Sequence, residues 1–281
     1  MVCAGCGRHR PENGTIGVAV TVAPQAQFVE RIGGEYVRVT VMVPPGANPH
    51  TYEPKPSQLV DVSRAQIYIK VGSGIEFELA WFEKVRSVNP RMHVVNLSER
   101  IEAAKLPHHH GNADDTGEGE HLDPHIWVSP KNVMIMVEQI HEALVAVDPN
   151  HREYYRANTA SYLEELHAVD NAITRTLEGA RKREFIVFHP AWGYFARDYG
   201  LKQIAIEKKG KEPTARDIRL LITLARERGV TVVFASPQFS SKSAKVVAGE
   251  IGGSVVPIDP LDRDYIGNMR RVAGALAAAM R

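Results

Sequence analysis

The sequence predicts an α/β protein of two (β/α) lobes with mostly parallel sheets, joined by one long linking helix. Two observations carry this. Short apolar runs of strand character alternate with segments whose apolar residues recur at helical spacing, the pattern of βα units. The alternation is broken once, by a helical tract at residues 150–179, and restarts after it. A chain of 281 residues that is 44% hydrophobic has room for two lobes of ordinary size.

The elements follow in order. Residues 16–22 form a compact apolar run, and after Ala23-Pro24 a helical pattern runs over 25–32 to Gly33-Gly34. The β-branched run 37–43 stops at Pro44-Pro45-Gly46 and delivers His50 into a loop. A helix over 56–64, a strand over 67–71 closed by Gly72-Ser73-Gly74, a helix over 78–88 and a short strand at 93–96 come next. Residues 107–120 are polar and rich in Gly, Asp, Glu and His, a composition that buries little apolar surface, and the segment 107–122 reads as a mobile loop.

Helical spacing returns at 130–146 and again at 150–179, where about 30 residues span roughly 45 Å, long enough to run the length of a two-lobed body. The strand of 185–188 restarts the alternation, with strands at 204–206, 230–234 and 255–258, helices at 214–228 and 241–251, and a last helix from Tyr265. The expected divisions are a disordered tail at 1–13, a first lobe at 14–146, the linking helix at 147–182 and a second lobe at 183–281.

Lys and Arg total 34 against 33 Asp and Glu, so no global field favours nucleic acid or a membrane surface. No segment approaches the roughly 20 apolar residues that cross a bilayer. The two cysteines, Cys3 and Cys6, precede the first strand and cannot staple a core. Ala4-Gly5-Cys6-Gly7 matches the end of a lipoprotein signal, so Cys6 is the expected lipid anchor of the natural precursor, although the basic and apolar parts of such a signal are missing here.

Three histidines stand at strand ends or beside a proline: His50 in Asn48-Pro49-His50, His125 in Asp123-Pro124-His125 and His189 in Phe188-His189-Pro190. Their separation rules out a zinc finger, whose ligands come in close pairs, so they meet only in a tertiary site. Three imidazoles converging there suit a borderline metal such as Zn²⁺. Asp259, in Ile258-Asp259-Pro260-Leu261, stands at a fourth strand end and would complete a tetrahedron. His50 and His125 fall in the first lobe, His189 and Asp259 in the second, which puts the site in the cleft between them. Trp127, Trp192, Tyr194 and Phe195 read as packing around it. Glu207 and Glu212, flanking Lys208-Lys209-Gly210-Lys211, read as part of a solvated turn.

The ordered motifs resemble a known family. They are Pro45-Gly46-Ala47-Asn48-Pro49-His50-Thr51-Tyr52-Glu53-Pro54, Asp123-Pro124-His125-Ile126-Trp127, His189-Pro190-Ala191-Trp192-Gly193-Tyr194-Phe195, Lys211-Glu212-Pro213-Thr214, Pro237-Gln238-Phe239-Ser240 and Ile258-Asp259-Pro260-Leu261. From about Ile16 onward the chain resembles the metal-binding solute-binding proteins of ABC transporters, the cluster A-I group that delivers Zn²⁺ or Mn²⁺ to a membrane permease. The resemblance implies a rigid linking helix and a cleft metal held by His50, His125, His189 and Asp259, with Asp262 as the alternative fourth ligand.

It further implies an extracytoplasmic monomer whose partners are a permease and its ATPase, with no nucleic acid and no membrane contact beyond a lipid anchor. A nitrogen-rich site favours zinc over manganese. Zinc-type relatives carry a His-rich insertion like the one here, so His108, His109, His110 and His121 are expected to gather zinc near the cleft. An Mn²⁺ carrier and an adhesin-like surface metal buffer are the alternatives. A zinc hydrolase is disfavoured, because the chain lacks His-Glu-x-x-His and a Gly-x-Ser-x-Gly elbow, and a fourth protein ligand would leave no position for an attacking water.

Overall fold

The computed structural model describes residues 14–103, 122–207 and 213–281. Cys6, His108, His109, His110, His121, Lys211 and Glu212 lie outside these residues. In the first lobe, strands β1 (Ile16–Val22), β2 (Val37–Val43), β3 (Ile67–Lys70) and β4 (His93–Asn96) pair in the order β2-β1-β3-β4. In the second, β5 (Glu184–Val187), β6 (Lys202–Ala205), β7 (Val232–Ala235) and β8 (Ser254–Pro257) pair in the equivalent order β6-β5-β7-β8. Every pairing is parallel, with registers such as Val18↔Ile67 and Val187↔Ala205. The expected fold class is therefore the observed one.

Helices α1 (Ala23–Gly33), α2 (Pro56–Ser63), α3 (Glu76–Val88) and α4 (Pro130–Val147) belong to the first half. Helices α6 (Gly193–Asp198), α7 (Ala215–Glu227), α8 (Lys242–Glu250) and α9 (Tyr265–Ala279) belong to the second. Between the halves runs α5 (Arg152–Glu178), 27 residues or about 40 Å long. It starts two residues later than the apolar spacing suggests, because Pro149–His151 forms a 3-10 turn ahead of it. Its buried residues Tyr155, Thr159, Tyr162, Leu166, Val169, Ile173 and Leu177 recur every three or four positions and form one stripe. That stripe packs on α1, α4 and α9.

One apolar cluster passes through both lobes. It joins Val20 and Phe28 of the first lobe to Tyr162 and Leu166 of α5 and to Trp192, Phe234 and Tyr265 of the second. Phe28 meets Tyr265 edge-on with ring centroids 5.0 Å apart, and Trp127 Nε1 donates across to Pro260 O at 2.7 Å. Two further clusters lie on the outer faces of the sheets, under α2 and α3 and under α7 and α8. Among the described residues no helix is long and apolar enough to cross a membrane. In parallel sheets, ligand loops gather at the carboxyl ends of strands, and here those ends carry His50, His189 and Asp259.

Candidate metal centre

Three loops share one local device. In Asn48-Pro49-His50 the His50 N–H donates to Asn48 Oδ1 at 2.9 Å. In Asp123-Pro124-His125 the His125 N–H donates to Asp123 Oδ1 at 2.9 Å. In Asp259-Pro260-Leu261 the Leu261 N–H donates to Asp259 Oδ1 at 2.8 Å. Each is an Asx turn in which the side chain of the first residue caps the third, with proline fixing the turn between them. The first two present an imidazole at the third position, and the third presents Leu261. All three loops line one cavity of about 10 Å³, together with Trp127, His189, Gln238 and Phe239.

The imidazoles of His50, His125 and His189 meet there. His189 Nε2 lies 3.2 Å from His50 Nε2 and 3.2 Å from His125 Nε2, and ligand atoms of all three lie within 4.8 Å of one another. Each ring turns its other nitrogen to a carboxylate. His50 Nδ1 is 2.6 Å from Glu76 Oε2, His125 Nδ1 is 2.8 Å from Asp123 Oδ1, and His189 Nδ1 is 3.0 Å from Glu207 Oε2. A neutral imidazole that donates from Nδ1 keeps a lone pair on Nε2. Three lone pairs then converge with no proton between them, an arrangement that a cation satisfies. Two nitrogens about 2.05 Å from a tetrahedral Zn²⁺ stand about 3.3 Å apart, which the two 3.2 Å separations from His189 match.

The electrostatics favour the same species. Burial drives the His189 pKa down to about 4, even though Glu207 pulls it upward, so this ring is neutral at pH 7. Burial raises the Glu76 carboxyl, but the hydrogen bond and charge of His50 outweigh it and leave Glu76 below its usual value. Asp123 is buried, and its Oδ2 has no partner among the described residues, so its charge is incompletely compensated. A bound divalent ion would supply the missing positive charge. Gly193 of the second lobe makes room for this carboxylate, since a Cβ there would stand 2.2 Å from Asp123 Oδ2. Phe239 stacks on His189 at 4.3 Å, and Trp127 and Trp192 are fully buried, as the packing reading of the two tryptophans expects.

Asp259 and Asp262 are not in the group whose ligand atoms lie within 4.8 Å of one another. Asp259 Oδ1 accepts from Gln238 Nε2 at 2.7 Å as well as from Leu261 N. Asp262 Oδ2 accepts from Arg271 Nη2 at 2.6 Å. Sequence reasoning missed Glu76 and Gln238 as parts of the site, and it misread Glu207. Far from a solvated turn, Glu207 is buried against His189. The signal for Glu207 is the pairing of β5 with β6. Val187 faces Ala205, so the residues two steps beyond the strand ends, His189 and Glu207, come side by side.

Fold and site together define a two-lobed α/β protein with three imidazoles converging where the loops of both lobes meet. The chain belongs to the family of the periplasmic zinc-uptake complex component A, whose pattern it matches over residues 18–279. It is 30% identical over 275 residues to the high-affinity zinc uptake system protein ZnuA of Bacillus subtilis (strain 168), covering 93% of this chain and 85% of that protein. It is 27% identical over 269 residues to the zinc-binding lipoprotein AdcA of Streptococcus pneumoniae serotype 4, covering 93% of this chain but 53% of that protein. The chain thus spans about half the length of that relative. The crystal structure of a ZnuA deletion mutant with zinc bound superposes with a TM-score of 0.87 at 41% identity, covering 95% of this chain and 98% of that one.

Proposed function

We propose that the chain captures Zn²⁺ outside the cytoplasm through Nε2 of His50, His125 and His189 and delivers it to the permease of an ABC transporter driven by its ATPase. The observation that carries this reading is the convergence of three imidazole lone pairs, each ring oriented by a carboxylate on its far nitrogen. Such outer partners fix the tautomer and raise the basicity of a ligand histidine. Three nitrogen donors favour Zn²⁺ over Mn²⁺, which prefers oxygen-rich sites. The zinc named for the relatives and held in the similar crystal structure agrees with this.

A cavity of about 10 Å³ admits an ion or one water and no organic substrate, which supports a carrier rather than an enzyme. Cargo metal is the substrate here, and release calls for movement of the ligand loops. Metal content of the purified chain, measured by plasma emission after dialysis against buffered zinc, should be one zinc per chain. His125→Ala should lose it. A His125→Ala chain that retains the zinc would show that the metal sits elsewhere.

A further inference from the structure

We propose that Gln238 governs the fourth coordination position of the metal, and that Asp259 acts through Gln238 and is not itself a ligand. This rests on the three-imidazole reading and extends it. Gln238 lines the imidazole cavity, whereas Asp259 does not. The direction of the amide is fixed by chemistry. Asp259 Oδ1 already accepts from Leu261 N, so the Gln238 atom facing it at 2.7 Å must be the donor Nε2. The other end of the amide, Oε1, is therefore the free acceptor, and it is buried with no hydrogen-bond partner among the described residues.

A buried unpaired acceptor is costly unless something supplies a proton. Each of His50, His125 and His189 offers a lone pair at Nε2 and has its Nδ1 proton committed to Glu76, Asp123 or Glu207. No donor for Gln238 comes from those rings. A water bound to the metal is such a donor, because coordination to Zn²⁺ makes its protons more acidic. The repeat of the Asx-Pro turn points the same way. Where the first two loops present an imidazole the third presents Leu261, so the Asp259 loop contributes no ligand at the matching position and positions Gln238 instead.

The test uses Co²⁺ as a visible probe of coordination, with azide as a competitor for the fourth position, and measures Zn²⁺ affinity against a chromophoric chelator. Wild type should bind one Co²⁺ with a four-coordinate visible spectrum that azide alters. Azide presents only lone pairs to Gln238 Oε1, so Gln238→Leu should bind azide about tenfold more tightly. The same substitution should weaken Zn²⁺ by about tenfold, the usual effect of losing an outer partner of a metal site. Asp259→Asn should leave the four-coordinate spectrum in place. A spectrum indifferent to azide, equal azide affinity in Gln238→Leu and wild type, or loss of the four-coordinate band in Asp259→Asn would each overturn the proposal. His189→Ala separates the two levels, because an unchanged spectrum in that variant defeats the imidazole centre itself, whatever Gln238 does.

Discussion

The two lobes share a strand order but hold their histidines differently. The second lobe buries its pair, with side-chain exposures of 6% for His189 and 5% for Glu207, and the first lobe buries His125 and Asp123 to a similar degree, at 5% and 1%. His50 and Glu76, also of the first lobe, remain at the rim with 19% and 51% exposed. A buried imidazole with a buried carboxylate is locked in rotamer and tautomer before the metal arrives. A rim pair is hydrated and screened, so its charge interaction contributes little. On the proposed zinc reading, two of the three arms are set in advance and the third, His50, is the more exposed one.

Removing a buried arm should have the largest effect. His189→Ala or His125→Ala should weaken zinc by more than about a hundredfold, beyond the range seen for outer partners alone, as read by chelator competition. A loss of only a few-fold would mean that the convergence of rings does not reflect a metal site.

Acid should distinguish the buried ring from the rim next. The folded pKa of His189, about 4, lies below the ordinary histidine value near 6.5, so the unfolded chain takes up this proton first. The stability this ring contributes is present above about 6.5, falls as pH drops from 6.5 to 4 and levels off below that, a loss on the order of 3 kcal/mol. Thermal melts of chelator-treated protein should show this decline, and His189→Phe should flatten it. An identical pH profile in that variant would contradict the burial of a neutral ring.

The partners come third. Glu207→Gln and Asp123→Asn should each weaken zinc by about 10- to 100-fold while the fold, read by circular dichroism, is kept. Gly193→Ala tests the same contact from the opposite lobe, because its Cβ would intrude on Asp123 Oδ2 and displace the carboxylate that orients His125. Glu76→Gln should have the smallest effect, less than about threefold, since its carboxylate is half exposed. A Glu76→Gln change as severe as Glu207→Gln would erase the distinction between rim and interior.

Much of the fold was legible because periodicity is a local property. The apolar alternation located the strands, and the three-four spacing of Tyr155, Tyr162, Leu166, Val169, Ile173 and Leu177 located α5. The short helix α6 carries too few turns to leave such a pattern, and β3 ends at Lys70, one residue before its apolar run does. The three histidines were legible because each stands at a strand end or beside a proline that halts the chain. Their partners divide by distance in sequence. Asp123 is two residues from His125 and inside the same motif, whereas Glu76 and Glu207 reach His50 and His189 only through tertiary packing and strand register. Asp259 could be read from sequence either as a ligand or as a turn cap, and its Oδ1 takes hydrogen bonds from Leu261 and Gln238.

The most direct test of the central claim is X-ray absorption at the zinc edge on the purified chain loaded with one equivalent of zinc. The account predicts a first shell of three imidazole nitrogens and one oxygen at about 2.0–2.1 Å, with the outer-ring scattering of three histidines. A shell containing sulfur, or one of oxygens with fewer than two imidazoles, would contradict it.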